Sequence, residues 1–80
     1  MRLLNEDTDT ALSRLTLLLT RAEASELRDS LEVILKSNGK ARHEHVPSED
    51  FQKELTLSIY DEADIRGFSA RAQKLIREDG

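Results

Sequence analysis

Two stretches of the chain share an alternating pattern of apolar and polar positions. Residues 15–20 (Leu-Thr-Leu-Leu-Leu-Thr) return later as residues 55–60 (Leu-Thr-Leu-Ser-Ile-Tyr). A period of two is typical of a strand with one buried face. The region 13–20 also satisfies helical spacing, so periodicity alone leaves it open between strand and helix. Residues 54–60 have no competing helical stripe. We predict strands in both stretches, the first by analogy with the second.

An amphipathic helix is predicted after the first stretch. Thr20 and Glu23 have the spacing of a capping box, in which a threonine hydroxyl and a glutamate satisfy backbone amides at a helix start. Apolar residues then recur at intervals of three and four, at Ala24, Leu27, Leu31, Ile34 and Leu35. Gly39 is well suited to the left-handed conformation that follows a helix, so we predict that the helix ends just before it.

A second amphipathic helix is predicted near the C-terminus, opening near Asp61 or Glu62. Its inner face takes Ile65, Phe68, Ala72, Leu75 and Ile76. Gly67 is unfavourable inside a helix by roughly 1 kcal/mol relative to alanine. It therefore leaves open a later start, with residues 61–67 as a loop.

The segment between these halves, residues 40–53, contains the only proline, Pro47. Residues 42–46 are a candidate short strand, which makes a hairpin with residues 54–60. The predicted fold is a small two-layer α+β domain of order β-α-(β)-β-α, with helices on one face of a short sheet. Residues 1–11 are expected to be flexible or loosely docked, with Leu3 and Leu4 able to pair as a short strand. Residues 12–78 form a single domain and residues 79–80 a tail.

Composition limits how much core this domain can build. The chain has 80 residues, no Trp, one Tyr and two Phe, and 35% of its residues are charged. A core of mostly Leu and Ile in so short a chain is marginal by area. A thin sheet also leaves an unpaired edge that another copy can use. We therefore expect a homodimer.

Several classes of function are disfavoured by composition and charge. With no cysteine, thiolate metal sites and thiol nucleophiles are excluded. The N-terminus turns acidic at once and no apolar run approaches ~18 residues, so a cytoplasmic protein without a membrane segment is expected. A net charge of −4 argues against nonspecific nucleic-acid binding.

The most suggestive local cluster is His43-Glu44-His45. On a strand, His43 and His45 point the same way, so both imidazoles can reach one metal ion, whereas Glu44 faces the opposite side. Zinc usually takes three or four protein ligands, and only Glu49, Asp50 or Asp61 could complete such a set. A metal-binding or metal-responsive domain is therefore an alternative, and exposed or cross-strand polar histidines are the simpler interpretation.

Motifs for catalysis are weak. Ser48 lies near His45 and Asp50 in sequence, but no Gly-x-Ser-x-Gly elbow is present, and a helix or turn cap is the simpler role for Ser48. The acid pairs 49–50 and 61–62 are typical of solvated helix starts. The three glycines are scattered, so no phosphate-binding loop is predicted. We expect no enzyme and no cofactor.

A basic stripe is predicted on the outer side of the last helix. It consists of Arg66, Arg71, Lys74 and Arg77. Such a stripe can approach an acidic partner or a phosphate backbone, which gives a nucleic-acid-binding regulator as a further alternative. No aromatic residues interleave it, so a base-stacking surface is not predicted.

Residues 14–20 leading into residues 23–27 superficially resemble the strand and first helix of ribbon-helix-helix repressors. In that family a second helix follows soon afterwards. Here the His- and Pro-containing connection leads to another strand instead, so the resemblance implies no residue role. The leading hypothesis is a small, non-enzymatic, cytoplasmic homodimer whose outer surface binds another protein.

Overall fold

The computed structural model describes residues 1–37, 43–61, 63 and 65–78, and it has the predicted α+β class. Two helices accompany two antiparallel two-stranded sheets. The elements in chain order are β1 (Leu4–Asn5), β2 (Thr10–Ala11), α1 (Arg21–Lys36), β3 (His43–Pro47), β4 (Glu54–Ser58) and α2 (Ala70–Glu78). The chain divides into two compact units, one formed by Met1–Leu17 with Glu62–Gly80, the other by Leu18–Asp61.

The central unit is a β3–β4 hairpin with α1 packed against β3. In the antiparallel register, Val46 lies opposite Leu55 and His45 lies opposite Thr56. Directly paired residues share one face of a sheet. Val46 is 5% exposed and Ile34 of α1 is 3% exposed, and they are the only buried residues in the part of the chain that the structure describes. The face that carries Val46 and Leu55 is therefore the covered face of the hairpin.

α1 begins where its capping residues predict. The hydroxyl of Thr20 accepts a hydrogen bond from the Glu23 N–H, and the Glu23 carboxylate accepts one from the Thr20 N–H. This reciprocal arrangement satisfies two amides that a helix start leaves free. The helix ends at Lys36, and Ser37 caps it through its N–H and hydroxyl, which both donate to the Ile34 carbonyl. The predicted cap Gly39 lies outside the described residues.

The proline inside β3 is tolerated for a geometric reason. The Ser48 N–H donates to the Lys53 carbonyl at 2.9 Å, one step beyond the Pro47–Glu54 pair. Hydrogen-bonded and non-hydrogen-bonded pairs alternate in an antiparallel ladder, so Pro47 occupies a non-hydrogen-bonded position. The missing N–H therefore costs the hairpin no ladder bond, and Pro47 belongs on an edge strand.

The terminal unit contains the short β1–β2 ribbon and α2. Leu4 lies opposite Ala11, and the Leu12 N–H donates to the Leu3 carbonyl at 2.8 Å. The turn is held by the Asn5 side chain, which accepts from two backbone amides, as an Asx turn does. At the start of α2 the Ser69 hydroxyl accepts from the Ala72 N–H at 3.1 Å. No described side chain of this unit is fully buried.

The structure corrects two placements. The strand predicted at residues 13–20 is not formed, and the chain has the order β-β-α-β-β-α because residues 4–5 pair with residues 10–11. The strand pairing of Leu4 agrees with the short strand that the sequence allows at Leu3 and Leu4. The final helix begins at Ala70, so the predicted opening near Asp61 is wrong and the alternative later start, after Gly67, is confirmed. Glu62, one of the two predicted openings, lies outside the described residues, as do Arg42 and the tail 79–80.

Candidate functional site

The backbone of residues 13–19 has no hydrogen-bonding partner within the described part of the chain. We call these seven residues the leucine segment. It starts after Leu12, which closes the β1–β2 ribbon, and stops at Thr20, which caps α1. Backbone N–H and C=O groups are strong, obligatory hydrogen-bonding groups. The backbone groups of the leucine segment are therefore open to solvent or to a partner.

The leucine segment is also rich in exposed apolar surface. Leu15 is 49% exposed, Leu17 45%, Leu18 90% and Leu19 40%. Single exposed leucines are common on protein surfaces, but adjacent ones that expose this much surface mark an interaction site more often. The segment thus combines apolar side chains with unpaired backbone, which are the two components that strand addition uses.

Two members of the apolar stripe predicted for α1 are left uncovered by the fold. Leu31 is 43% exposed and Leu35 is 70% exposed, although Ile34 beside them is buried. Residues four apart lie on the same side of a helix, one turn above each other. Leu31 and Leu35 therefore form a continuous uncovered ridge on the central unit.

The two candidate metal ligands lie together on the uncovered face of the hairpin. The register places His43 opposite Ser58 and His45 opposite Thr56, so the two histidines share a face. The Nδ1 atom of His45 lies 2.5 Å from the Glu54 carboxylate and 3.0 Å from the Thr56 hydroxyl. Within the described ranges, no group of three or more His, Asp or Glu side chains is arranged to hold a metal ion. Metal binding at His43 and His45 stays a prediction from the sequence.

The turn between β3 and β4 gives Ser48 its role. Its hydroxyl donates to the Asp50 carboxylate at 2.5 Å and accepts from the Lys53 N–H at 3.0 Å. Asp50 also accepts from the Gln52 N–H. The Ser48 hydroxyl, followed by the Gln52 amide, lowers the pKa of Asp50. Ser48 therefore caps the turn between β3 and β4, which is the simpler of the two roles considered for it from the sequence.

Glu23 joins the start of α1 to the same turn. One carboxylate oxygen accepts from the Thr20 N–H at 2.9 Å, and the other accepts from the Glu49 N–H at 2.8 Å. The two backbone hydrogen bonds, that of Thr20 first, lower the pKa of Glu23. Hydrogen bonds to the charged carboxylate explain the lowered pKa of Glu23. The lowered pKa is therefore no sign of a catalytic cleft.

The predicted basic stripe separates into different environments. Arg71, Lys74 and Arg77 are exposed on α2, whereas Arg66 precedes the helix. Arg71 donates to the Asp9 carboxylate and to the Glu6 carbonyl, each at 2.5 Å. The hydrogen bond to Asp9 raises the pKa of Arg71. This arginine therefore fastens the β1–β2 turn to α2, a role that the stripe pattern did not reveal.

Comparisons with protein-family models, with curated proteins and with solved structures find no match to this chain. Its function is therefore argued from its own residues. No helix in the described ranges is long and apolar enough to cross a membrane.

Proposed function

We propose that this chain is a small, non-enzymatic, cytoplasmic interaction module that acts as a homodimer and presents its outer surface to another protein. The observation that carries the proposal is the leucine segment, whose unpaired backbone and exposed leucines are left over after the protomer has folded. Only two described residues, Ile34 and Val46, are buried. A protomer with so little core gains stability by covering more apolar surface.

The ionisable groups support a binding role over a catalytic one. Among the described residues, those with displaced pKa values are Glu23, Asp50 and Arg71, and each is explained by a cap, a turn or a clasp. Acid–base catalysis needs such groups in a cleft where substrate can reach them and water is restricted. The groove beside Arg71 and Lys74 is open to solvent. Two of the side chains that line it, Arg71 and Asp9, bond to each other.

An order-of-magnitude estimate of the affinity follows from the exposed leucines. The four leucines expose the equivalent of about two leucine side chains per copy, and burying each stabilises by roughly 1.5–3 kcal/mol. Two copies together gain roughly 6–12 kcal/mol, against an association cost of about 4–15 kcal/mol. The expected dimer is therefore weak, with a dissociation constant of about 1 μM or higher.

Sedimentation velocity across a protein concentration series tests the dimer. The mass should rise from one copy to two between about 1 μM and several hundred μM, as a weak dissociation constant requires. Leu18→Glu should weaken the association because Leu18 is 90% exposed and its replacement leaves the protomer core untouched. Gln52→Glu is the matched control, since Gln52 is exposed in the hairpin turn and receives the same new charge. A stable monomer throughout the series would remove the homodimer from the proposal.

A further inference from the structure

The uncovered face of the β3–β4 hairpin carries two exposed histidines at the spacing of a metal chelate. His43 and His45 are two residues apart on β3, so they lie on the same face with their Cα atoms about 6.8 Å apart. Histidine pairs that bind zinc from one face of a helix are four residues apart, which is about 6 Å along the helix axis. The strand therefore presents two imidazoles at a comparable separation.

The contacts of His45 leave one of its ring nitrogens for a metal ion. Its Nδ1 atom lies 2.5 Å from a carboxylate oxygen of Glu54 and 3.0 Å from the hydroxyl of Thr56. An ionised carboxylate only accepts hydrogen bonds, so the neutral imidazole carries its proton on Nδ1 and its lone pair on Nε2. Within the described part of the chain, Nε2 has no protein partner.

The same pair of contacts is typical of histidines that bind metals. Such a histidine almost always donates its other ring N–H to a carboxylate, a backbone carbonyl or water, and this contact fixes the tautomer and the orientation of the ring. Glu54 provides the carboxylate for His45. It lies opposite Pro47 in the register, and therefore on the face that carries both histidines.

The charge of the hairpin also favours a cation. Its two strands contain Glu44 and Glu54 and neither Lys nor Arg. Glu54 is on the histidine face, whereas Glu44 lies opposite Leu57 on the other face. A nearby negative charge attracts a bound cation, and a positive charge would repel it. The strands therefore offer nitrogen ligands without a cation of their own to compete.

We propose that His43 and His45 chelate one divalent ion of nickel, copper or zinc, with Glu54 as the positioning residue for His45. Imidazole nitrogens suit these metals, whereas Mg²⁺ and Ca²⁺ prefer oxygen ligands. No group of three His, Asp or Glu side chains in the described ranges is arranged around an ion, so water completes the coordination. One ring nitrogen of each histidine is enough, and the other serves contacts within the fold.

Two protein ligands make this a weak and open site. Structural zinc sites are closed by four protein ligands. With half that number, the dissociation constant for Ni²⁺ should be about 1–100 μM. Cu²⁺ should bind more tightly than Ni²⁺, as nitrogen ligands generally require. An ion with open coordination positions keeps the capacity to bind a further ligand from solution, so the site suits reversible binding better than a structural role.

Isothermal titration calorimetry of the full chain with NiCl₂ tests the chelate. The unsubstituted protein should bind one ion per copy, and MgCl₂ should produce no binding heat. His43→Ala and His45→Ala should each weaken Ni²⁺ binding at least about tenfold, because one imidazole alone forms no chelate. Circular dichroism of each variant measures whether its fold is retained.

Glu54→Gln tests the positioning role. It keeps both imidazoles but removes the charged partner of Nδ1, so Ni²⁺ binding should weaken about tenfold. Glu44→Gln is the matched control, since it removes the same charge from the same hairpin but from the opposite face. Its effect should stay below about twofold, because solvent and salt screen a charge that makes no contact with the ligands. Equal effects of the two variants would overturn the role of Glu54.

NMR of the imidazole nitrogens in the unsubstituted protein keeps the test independent of any folding defect in the variants. Without metal, His45 should carry its proton on Nδ1. Addition of Zn²⁺ should shift the Nε2 resonance of His45 together with one ring-nitrogen resonance of His43. A proton on Nε2 of metal-free His45 would overturn the role of Glu54, and a Zn²⁺ shift at only one of the two histidines would overturn the chelate.

The outcomes are separate from those of the proposed homodimer, because the site needs only one copy of the chain. Unchanged Ni²⁺ affinity in both histidine variants, or no binding heat at about 1 mM Ni²⁺, would overturn the site and leave the homodimer standing. One ion bound per two copies would overturn the water-completed site and place the ion between the hairpins of two copies.

Discussion

Truncation of Ile34 provides the sharpest test of where the stability of the central unit comes from. Ile34 is 3% exposed, and its neighbour Leu35 is 70% exposed on the same helix. The variants Ile34→Ala and Leu35→Ala each remove three carbon atoms from adjacent positions. Their effects on the free energy of unfolding should differ because only Ile34 lies in the core.

The magnitude follows from burial. Removing three fully buried carbon groups costs about 2.4 kcal/mol at ~0.8 kcal/mol per group, and an unfilled cavity raises the total into the range of about 2–5 kcal/mol. Leu35 is 70% exposed, so Leu35→Ala loses only about a third of that transfer energy. Alanine's better helix propensity offsets part of the loss, and the expected destabilisation is roughly 0.5 kcal/mol. The expected difference is at least about 1.5 kcal/mol, or roughly 6–12 °C in Tm for a chain of this size.

Urea denaturation followed by circular dichroism at 222 nm measures both variants, at a protein concentration below the onset of association. Ile34→Val serves as a graded intermediate and should cost about 0.5–1.5 kcal/mol. Equal destabilisation by Ile34→Ala and Leu35→Ala would refute the assignment of Ile34 to the core. A loss of less than about 1 kcal/mol in Ile34→Ala would do the same.

The remaining predictions concern the clasp, a carboxylate and the hairpin turn. Asp9→Asn and Arg71→Met should each speed hydrogen exchange of the Leu12 amide, because both weaken the Arg71–Asp9 contact that holds the β1–β2 ribbon. Unchanged exchange in both variants would show that this contact does not stabilise the ribbon. The pKa of Glu23 is lowered in the folded state. Its carboxylate therefore stabilises the fold at pH values above its unfolded-state pKa. That stabilisation is lost as the pH falls through the folded-state pKa. The stability advantage of wild type over Glu23→Gln, measured by urea denaturation between pH 7 and pH 3, should therefore shrink below about pH 4.5, and an advantage that grows towards acid would contradict the assignment. Phe51 has φ of 58° and is 79% exposed, so Phe51→Gly should raise the free energy of unfolding in urea by up to about 1 kcal/mol. A lower free energy of unfolding would show that the Phe51 side chain has a packing role.

The elements that could be predicted from the sequence are those whose determinants are local. Thr20 and Glu23 define the start of α1 because a capping box needs only neighbouring residues. Gly67 signalled the later start of α2 for the same reason, since its helical cost is intrinsic. The hairpin at residues 43–58 was accessible because its two strands are close in sequence.

The first strand was predicted wrongly because alternation specifies a face but not a partner. Residues 15–20 and 55–60 have the same pattern, yet only the second finds a strand, His43–Pro47, at hairpin distance. The clasp between Arg71 and Asp9 spans 62 positions, and no local pattern indicates such a pair. The stripe pattern predicts a surface open to a partner, whereas the structure engages Arg71 within the fold.

The distribution of apolar side chains argues that the folded protomer is an incomplete account of this chain. Of the large apolar residues in the described ranges, ten are exposed, ten are partly buried and two are buried, so few of them reach the interior that Leu and Ile usually prefer. Solubility alone gives no reason to keep leucines at 90% and 70% exposure, because polar residues at Leu18 and Leu35 fit the same backbone. A role in association explains both the exposed leucines and the thin core, since surface covered in a complex stabilises only when the partner is present. In the proposed homodimer, the stability of the protomer is coupled to its own concentration through mass action.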